Sequence, residues 1–250
     1  MNSANSHSIL PHLSCKYAFF VRYKGQLPVF DANSDSFSAA SLIKIPILLA
    51  WASLEQTGEI SLDEICDLDA EPQVKGAGFA RSMRTRRISY HDVLLMMIAT
   101  SDNLCTNLAI QRIGMERLNV LFSNRLGLTG TLLQRKLMDF KARARGLDNL
   151  ISAQDYVRLF DLVHALPPTQ KSWVETMLSS CQDTSLLVRN LDRDSLHFFH
   201  KTGSIPGVLH DWGYSRDCDI FLLTDNVTNE SELTQAFGQI GQQFLTPHAI

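Results

Sequence analysis

The stretch Ser38-Ala39-Ala40-Ser41-Leu42-Ile43-Lys44-Ile45-Pro46-Ile47 begins an apolar run that carries on to residue 55 and stops at Thr57-Gly58. So few polar interruptions predict a helix over 41–55 buried on most of its sides and closed near the glycine. Ser41 and Lys44 are spaced to meet on one face of that helix. Burial disfavours the charged form of an amine, so a lysine placed there loses basicity and can take the proton of a neighbouring hydroxyl. The pair is then a nucleophile with its own base, suited to attack on a carbonyl. Taken alone, the same spacing also fits an ordinary helix whose serine and lysine face solvent.

Two later tripeptides change the balance. Ser101-Asp102-Asn103 sits within Met97-Ile98-Ala99-Thr100-Ser101-Asp102-Asn103-Leu104-Cys105-Thr106-Asn107, and Lys201-Thr202-Gly203 within His200-Lys201-Thr202-Gly203-Ser204. Looser matches, Ser3-Ala4-Asn5 to Ser-x-Asn and Ser172-Trp173-Val174 to Ser-x-Val, lack comparable surroundings. The ordered set Ser-x-x-Lys, Ser-Asp-Asn and Lys-Thr-Gly resembles the signature of class A β-lactamases and penicillin-binding proteins. The flank of Ser41, with its Pro46 shortly after the lysine, is similar to that family's nucleophile helix, and the 200–204 segment is similar to its substrate-lining strand. The resemblance runs from about Lys16 to the C-terminus.

The resemblance implies a division of labour. Ser41 would form an acyl-enzyme, with Lys44 as its base directly or through a water. Ser101 would relay a proton to the departing nitrogen, and Asn103 would bond the substrate amide and help hold Lys44. Asp102 reads as structural, bonding loop amides. Lys201 and Thr202 would receive a substrate carboxylate, and Gly203 would let a substrate backbone approach. The amides of Ser41 and Ser204 would be the oxyanion donors, each such donor supplying roughly 2–4 kcal/mol of transition-state stabilisation.

One departure limits the analogy. Class A enzymes carry a Glu-x-x-x-Asn pair in the Ω-loop, whose glutamate activates the deacylating water. This chain has no glutamate between Glu116 and Glu175, and the corresponding stretch reads Leu133-Gln134-Arg135-Lys136-Leu137-Met138-Asp139-Phe140-Lys141. Asp139 is the nearest carboxylate and the candidate for positioning water; it could equally pair with Arg135 or Arg143. Asp148-Asn149 follows along the loop. The expected activity is therefore a serine hydrolase acylated at Ser41 by β-lactams or related amides and esters, with slow hydrolysis of the acyl-enzyme. The alternative is a penicillin-binding or acyl-trapping protein, or a peptidase or esterase, without true β-lactamase turnover.

The order of elements supports an α/β (α+β) fold. Aromatic and β-branched runs at 17–23 and 27–30, split by Lys24-Gly25-Gln26, predict a β-hairpin. Helical patterns follow at 90–99, where Ser89 is a plausible N-cap, and at 103–113, 115–126, 152–166 and 169–180. Strands are expected at 196–202, 208–214 and 219–223, then a closing helix at 231–245. Strands at both ends of a helical insert imply one sheet built from both termini. The resemblance makes it a five-stranded antiparallel sheet flanked by helices beside an all-helical lobe. The whole of 1–250 reads as one catalytic domain, with a sheet lobe of about 1–40 and 190–250 and a helical lobe of about 41–189.

Composition narrows the partners. Twenty-three basic against 26 acidic residues leave a formal charge of −3, which argues against a nucleic-acid platform. The apolar 94–99 run is too short to span a membrane. No cofactor or metal is expected: His197 and His200 would point to opposite faces of a strand, as would the adjacent His210 and Asp211. The two histidines of the first pair read as packing or surface residues. No Gly-x-Ser-x-Gly elbow is present for an α/β-hydrolase triad. Five widely spaced cysteines suit free thiols in a reducing compartment. Residues 1–14 have no basic leader or long apolar core, so the chain as written is expected to be cytoplasmic, or periplasmic or secreted if the true N-terminus is missing. The expected partner is a small β-lactam or peptide-like substrate, and the expected state a monomer.

Overall fold

The computed structural model describes residues 14–192 and 196–246. Ser3-Ala4-Asn5 and the parts of the expected sheet lobe at 1–13 and 247–250 lie outside the described residues. The hairpin forms as β1 (Lys16–Tyr23) and β2 (Val29–Ala32), followed by a short β3 (Ser36–Ser38). A 3-10 turn over Ala40–Ile43 leads into α1 (Lys44–Gln56). Then come β4 (Ile65–Asp67), β5 (Arg87–Ser89), α2 (Tyr90–Ala99), α3 (Asn103–Ile113), α4 (Met115–Val120), α5 (Phe140–Ala144), β6 (Leu150–Ser152), α6 (Ala153–His164) and α7 (Pro168–Ser179). The chain closes with β7 (Phe199–Ile205), β8 (Val208–Tyr214), β9 (Cys218–Asp225) and α8 (Glu230–Leu245).

The expected sheet from both termini is present. Its order is β2-β1-β9-β8-β7, antiparallel throughout, and β1 pairs along its whole length with β9, from Lys16 opposite Asp225 to Tyr23 opposite Cys218. A central strand covered on both faces has no wet side, which is why Ala18 to Val21 are all buried instead of alternating. On one face Phe20 and Phe221 stack at 5.6 Å and meet Phe160 of α6, which stacks on Trp212 at 4.5 Å. On the other face Phe19, Ile220 and Leu222 pack under Leu233, Phe237 and Ile240 of α8.

Three expected boundaries move, each for a local reason. The strand expected at 196–202 begins at Phe199 and runs on to Ile205, because Pro206-Gly207 makes a tight turn that pairs Ile205 with Val208. Gly207 has φ +79°, which suits glycine at the second turn position. The helix expected over 41–55 is split: Ser41 stands on the 3-10 turn and only Lys44 onward is α-helical. The helix expected over 115–126 ends as an α-helix at Val120 and finishes in a π-helical turn, Leu121–Leu126, stopped by Gly127 at φ +69°. Side-chain caps start α2 (Ser89 accepting from the Asp92 amide), α3 (Asp102 from Cys105) and α6 (Ser152 from Asp155).

Candidate active site

The 3-10 turn at Ala40–Ile43 solves a geometric problem. In a 3-10 helix side chains three residues apart eclipse, so the Ser41 hydroxyl lies directly over the Lys44 amine, with Oγ and Nζ 3.0 Å apart. Ala40 accepts φ +44° at the entry to this turn. The surroundings hold it there: Tyr156 donates its hydroxyl to the Leu42 carbonyl at 2.7 Å, and the Ala39 amide donates to Asn149 O at 2.8 Å. The His210 ring, buried so completely that its pKa falls to about 4, is neutral; Nε2–H donates to the Ser38 carbonyl at 2.8 Å while Nδ1 accepts the Thr224 amide at 3.0 Å. Pro46 lies in the first turn of α1, where its missing N–H leaves no bond unmade.

Ser101 supplies the other wall. Its φ is positive, at +55°, a conformation that costs about 1–2 kcal/mol for an L-residue. The strain brings two atoms of one residue onto the same amine: Lys44 Nζ is 2.7 Å from Ser101 O and 2.8 Å from Ser101 Oγ. Asn103 Oδ1 stands 3.2 Å from Nζ, and Ser101 Oγ is 2.9 Å from Ser41 Oγ. The intervening Asp102 faces the other way, accepting the Cys105 amide at 3.1 Å and the Ala80 amide at 2.8 Å. Ser101 and Asn103 thus contact the amine while Asp102 between them anchors the loop.

Lys44 is fully buried, and its pKa lies well below the ordinary amine value. Burial is the largest cause, the nearby Lys201 ammonium the next, and Asp102 opposes both. A neutral amine has two N–H groups and one lone pair. Donating to Ser101 O and Asn103 Oδ1 uses both hydrogens and leaves the lone pair for the proton of Ser41, directly or through Ser101.

The third segment comes from β7, at the edge of the sheet. Gly203 passes so close to the nucleophile turn that a Cβ there would lie 3.0 Å from the Leu42 nitrogen and 3.2 Å from that of Ser41. Any side chain there would crowd the turn, which would have to give by a few tenths of an ångström. Lys201 is buried, its amine donating to the Thr202 carbonyl at 2.8 Å; burial lowers its pKa against the raising effect of Cys181, Asp183 and Asp211. Ser41, Ser101, Lys201, Thr202 and Ser204 line a cleft of about 390 Å³ together with Gln182 and Asp183. Asp183 was not a sequence candidate. Its carboxylate accepts the Thr202 hydroxyl at 2.8 Å, so the group expected to receive a substrate carboxylate already has an anionic partner. A lone Gln-Asp pair between a helix and a strand carried no signal of this role.

Asp139 is engaged in a helix cap. Its Oδ1 accepts the Ala142 amide at 2.9 Å as the N-cap of α5, and it is not among the cleft-lining side chains. It pairs with neither arginine proposed for it: Arg135 and Arg143 both reach Asp148, at 2.7 and 3.3 Å. Its neighbour Met138 packs near Asn103. Asn107 of α3 clamps Leu137 through both backbone groups, at 2.8 and 3.1 Å, and Met138 follows with φ +66°. A Cβ on Gly76 would touch the Met138 sulfur at 3.1 Å and the Asn103 amide nitrogen at 2.7 Å, so thioether and amide flank the same spot. The histidines of β7 and β8 also separate: His210 faces Ser38, while His200, expected to be a packing or surface residue, is a buried ion-pair partner of Asp211 at 3.1 Å.

The chain belongs to the β-lactamase enzyme family, which matches residues 13–246. Its fold is that of the class A β-lactamases. The β-lactamase of Sphaerobacter thermophilus is 22% identical, superposes with a TM-score of 0.86, and aligns over 97% of this chain and 95% of its own. PBP-A is 22% identical with a TM-score of 0.82 over 94% of this chain and 91% of its own. An ancestral class A β-lactamase, GNCA, is 14% identical with a TM-score of 0.84 over 97% and 98%. No match is found among curated proteins. Among the described residues no helix is long and apolar enough to cross a membrane, and no group of three or more His, Cys, Asp and Glu could hold a metal ion.

Proposed function

We propose that the protein is a serine acyl-transfer hydrolase that is acylated at Ser41 by β-lactams or related amides and esters and releases the acyl group slowly. The observation that carries this reading is the buried Lys44 amine, within 3.2 Å of Ser41 Oγ, Ser101 Oγ and Asn103 Oδ1, beneath a cleft lined by Ser41, Ser101 and Lys201. Ser41 Oγ attacks the carbonyl as Lys44 takes its proton, and Ser101 returns that proton to the departing nitrogen. The amides of Ser41 and Ser204 receive the oxyanion, and Lys201 attracts a substrate carboxylate.

Slow release follows from the loop. Asp139 caps α5 through Oδ1, and the neighbouring Met138 thioether lies beside the Asn103 amide. Displacing a catalytic group by 1 Å can lose about 10²-fold in rate, and here one oxygen of the carboxylate is held by the α5 cap. One of the compared structures, 24% identical, is an acyl-enzyme complex of a PBP-A mutant with penicillin G. A covalent adduct of that kind is the state expected to accumulate in this chain. With a chromogenic cephalosporin we expect a burst of about one product equivalent per enzyme, then slow turnover, and an Asp139→Asn variant with an unchanged slow phase. Linear kinetics without a burst would contradict slow deacylation, and a slow phase abolished by Asp139→Asn would return that residue to the mechanism. A slow phase indistinguishable from zero would instead assign an acyl-trapping, penicillin-binding role.

Lys201→Met is expected to do two separable things. It should weaken carboxylated substrates relative to neutral esters by about tenfold to a hundredfold, the range of a charge-assisted hydrogen bond. It also removes a positive charge that holds the Lys44 pKa down, so the acid limb of acylation should move to higher pH for both substrate types. Equal losses on both substrates with an unmoved limb would refute the assignment.

A further inference from the structure

Beside the Ser41 cleft, on the face of β7 that carries His200 and Thr202, lies a second chemically competent cluster. Cys181 follows the last turn of α7, its thiol donating to the Asp183 carbonyl at 3.9 Å, and lies with His200 on the wall of one cavity. His200 Nδ1 is 3.1 Å from Asp211 Oδ1, which leaves the other ring nitrogen for the sulfur. Asp211 is itself fixed by the Leu187 amide, donated to Oδ2 at 3.1 Å. A thiol beside a base that a third group orients is the arrangement of activated cysteines. All three side chains are buried, yet Cys181 and His200 line a cavity of about 240 Å³ with the apolar Val188 and Phe198. That space admits a small reagent to the sulfur.

The charges agree with the geometry. Burial opposes ionisation of the imidazole, yet Asp211 raises its pKa to about 10, so the ring is an imidazolium. Burial likewise opposes the thiolate, but the neighbouring His200 imidazolium, with Lys201, brings the Cys181 thiol below its ordinary value. The other four cysteines move the opposite way: burial raises Cys15, Cys66, Cys105 and Cys218.

We infer that Cys181, with His200 and Asp211, is a thiolate modification site that takes small soft electrophiles and low-molecular-weight disulfides. In the exchange the Cys181 thiolate attacks one sulfur of the disulfide, the S–S bond breaks, a mixed disulfide forms, and the departing thiolate takes a proton from His200 or water. The site does not depend on the serine chemistry. It does adjoin it, because Gln182 and Asp183 form a wall of the Ser41 cleft and Asp183 holds Thr202.

The test is timed alkylation of the folded protein by iodoacetamide between pH 5 and 9.5, with each cysteine quantified by peptide mass spectrometry. Cys181 is expected to be labelled first at pH 6, with a midpoint below the free-thiol value of about 8.5. In His200→Gln the rate at pH 6 should fall about tenfold for each pH unit by which the midpoint rises, with little change at pH 9.5. A Phe198→Ala variant, which removes a ring packed 5.1 Å from the His200 imidazole and widens the cavity, should label faster. The inference is overturned if Cys181 labels no faster than Cys15 at pH 6 in both the parent and Phe198→Ala proteins. An ordinary thiol midpoint, or one that His200→Gln leaves in place, overturns it equally. Labelling is read without any β-lactam, so its failure is distinct from failure of the acyl-enzyme reading.

Discussion

Ser41→Ala is expected to remove covalent adduct formation with β-lactams entirely, as read by intact-protein mass spectrometry. Loss of the nucleophile from a serine hydrolase lowers turnover on the order of 10⁶-fold, because the rest of the machinery has nothing to activate. Here the Lys44 amine would keep Ser101 and Asn103 as partners, so the fold has little reason to change. Ser101 Oγ also contacts that amine, and its position makes it the informative control. An adduct that persists in Ser41→Ala but vanishes in Ser101→Ala would move the nucleophile to Ser101.

Lys44→Met is expected to lower the acylation rate by roughly 10²- to 10⁴-fold, the usual contribution of a positioned base, with a smaller effect on substrate binding. The pH dependence supplies the sign. A lysine serves as a base only when neutral, so acylation should rise with pH through the Lys44 midpoint and then level off. That midpoint lies well below 10.5, because the amine is buried and faces Lys201. Lys44→Met should flatten this limb as well as lower the rate. Stability carries the linked sign: a lysine whose folded pKa is depressed destabilises the fold as pH falls from its unfolded value toward the folded one. Lys44→Met should therefore be more stable than the parent below that window, as thermal melts can measure. An acid limb that survives intact in Lys44→Met would assign the titration to another group.

Much of this site was legible in the chain. The three motifs name the residues that meet around the Lys44 amine, and the apolar run at 41–55 announced the burial that depresses its pKa. The hairpin and the strands near the C-terminus were visible as β-branched and aromatic runs, and their joining into one sheet followed from the helical insert between them. Local chemistry was enough wherever a residue's role depends on its neighbours in sequence: Ser89 as a helix cap and Asp102 as a structural residue bonding loop amides.

Roles that depend on direction were decided only by tertiary structure. Asp139 and Met138 are adjacent, and composition favoured the carboxylate; the Asn107 clamp on Leu137 and the left-handed turn at Met138 point the thioether toward Asn103 and leave Asp139 to cap α5. Asp183 reached the cleft because the chain after α7 crosses the end of β7, a contact that no pattern of period 2 or 3.6 encodes. The same crossing set Cys181 beside His200, and strand pairing set His200 diagonally opposite Asp211. Sequence spacing determines which side chains share a face of one element. Which faces meet depends on the packing of elements far apart in the chain.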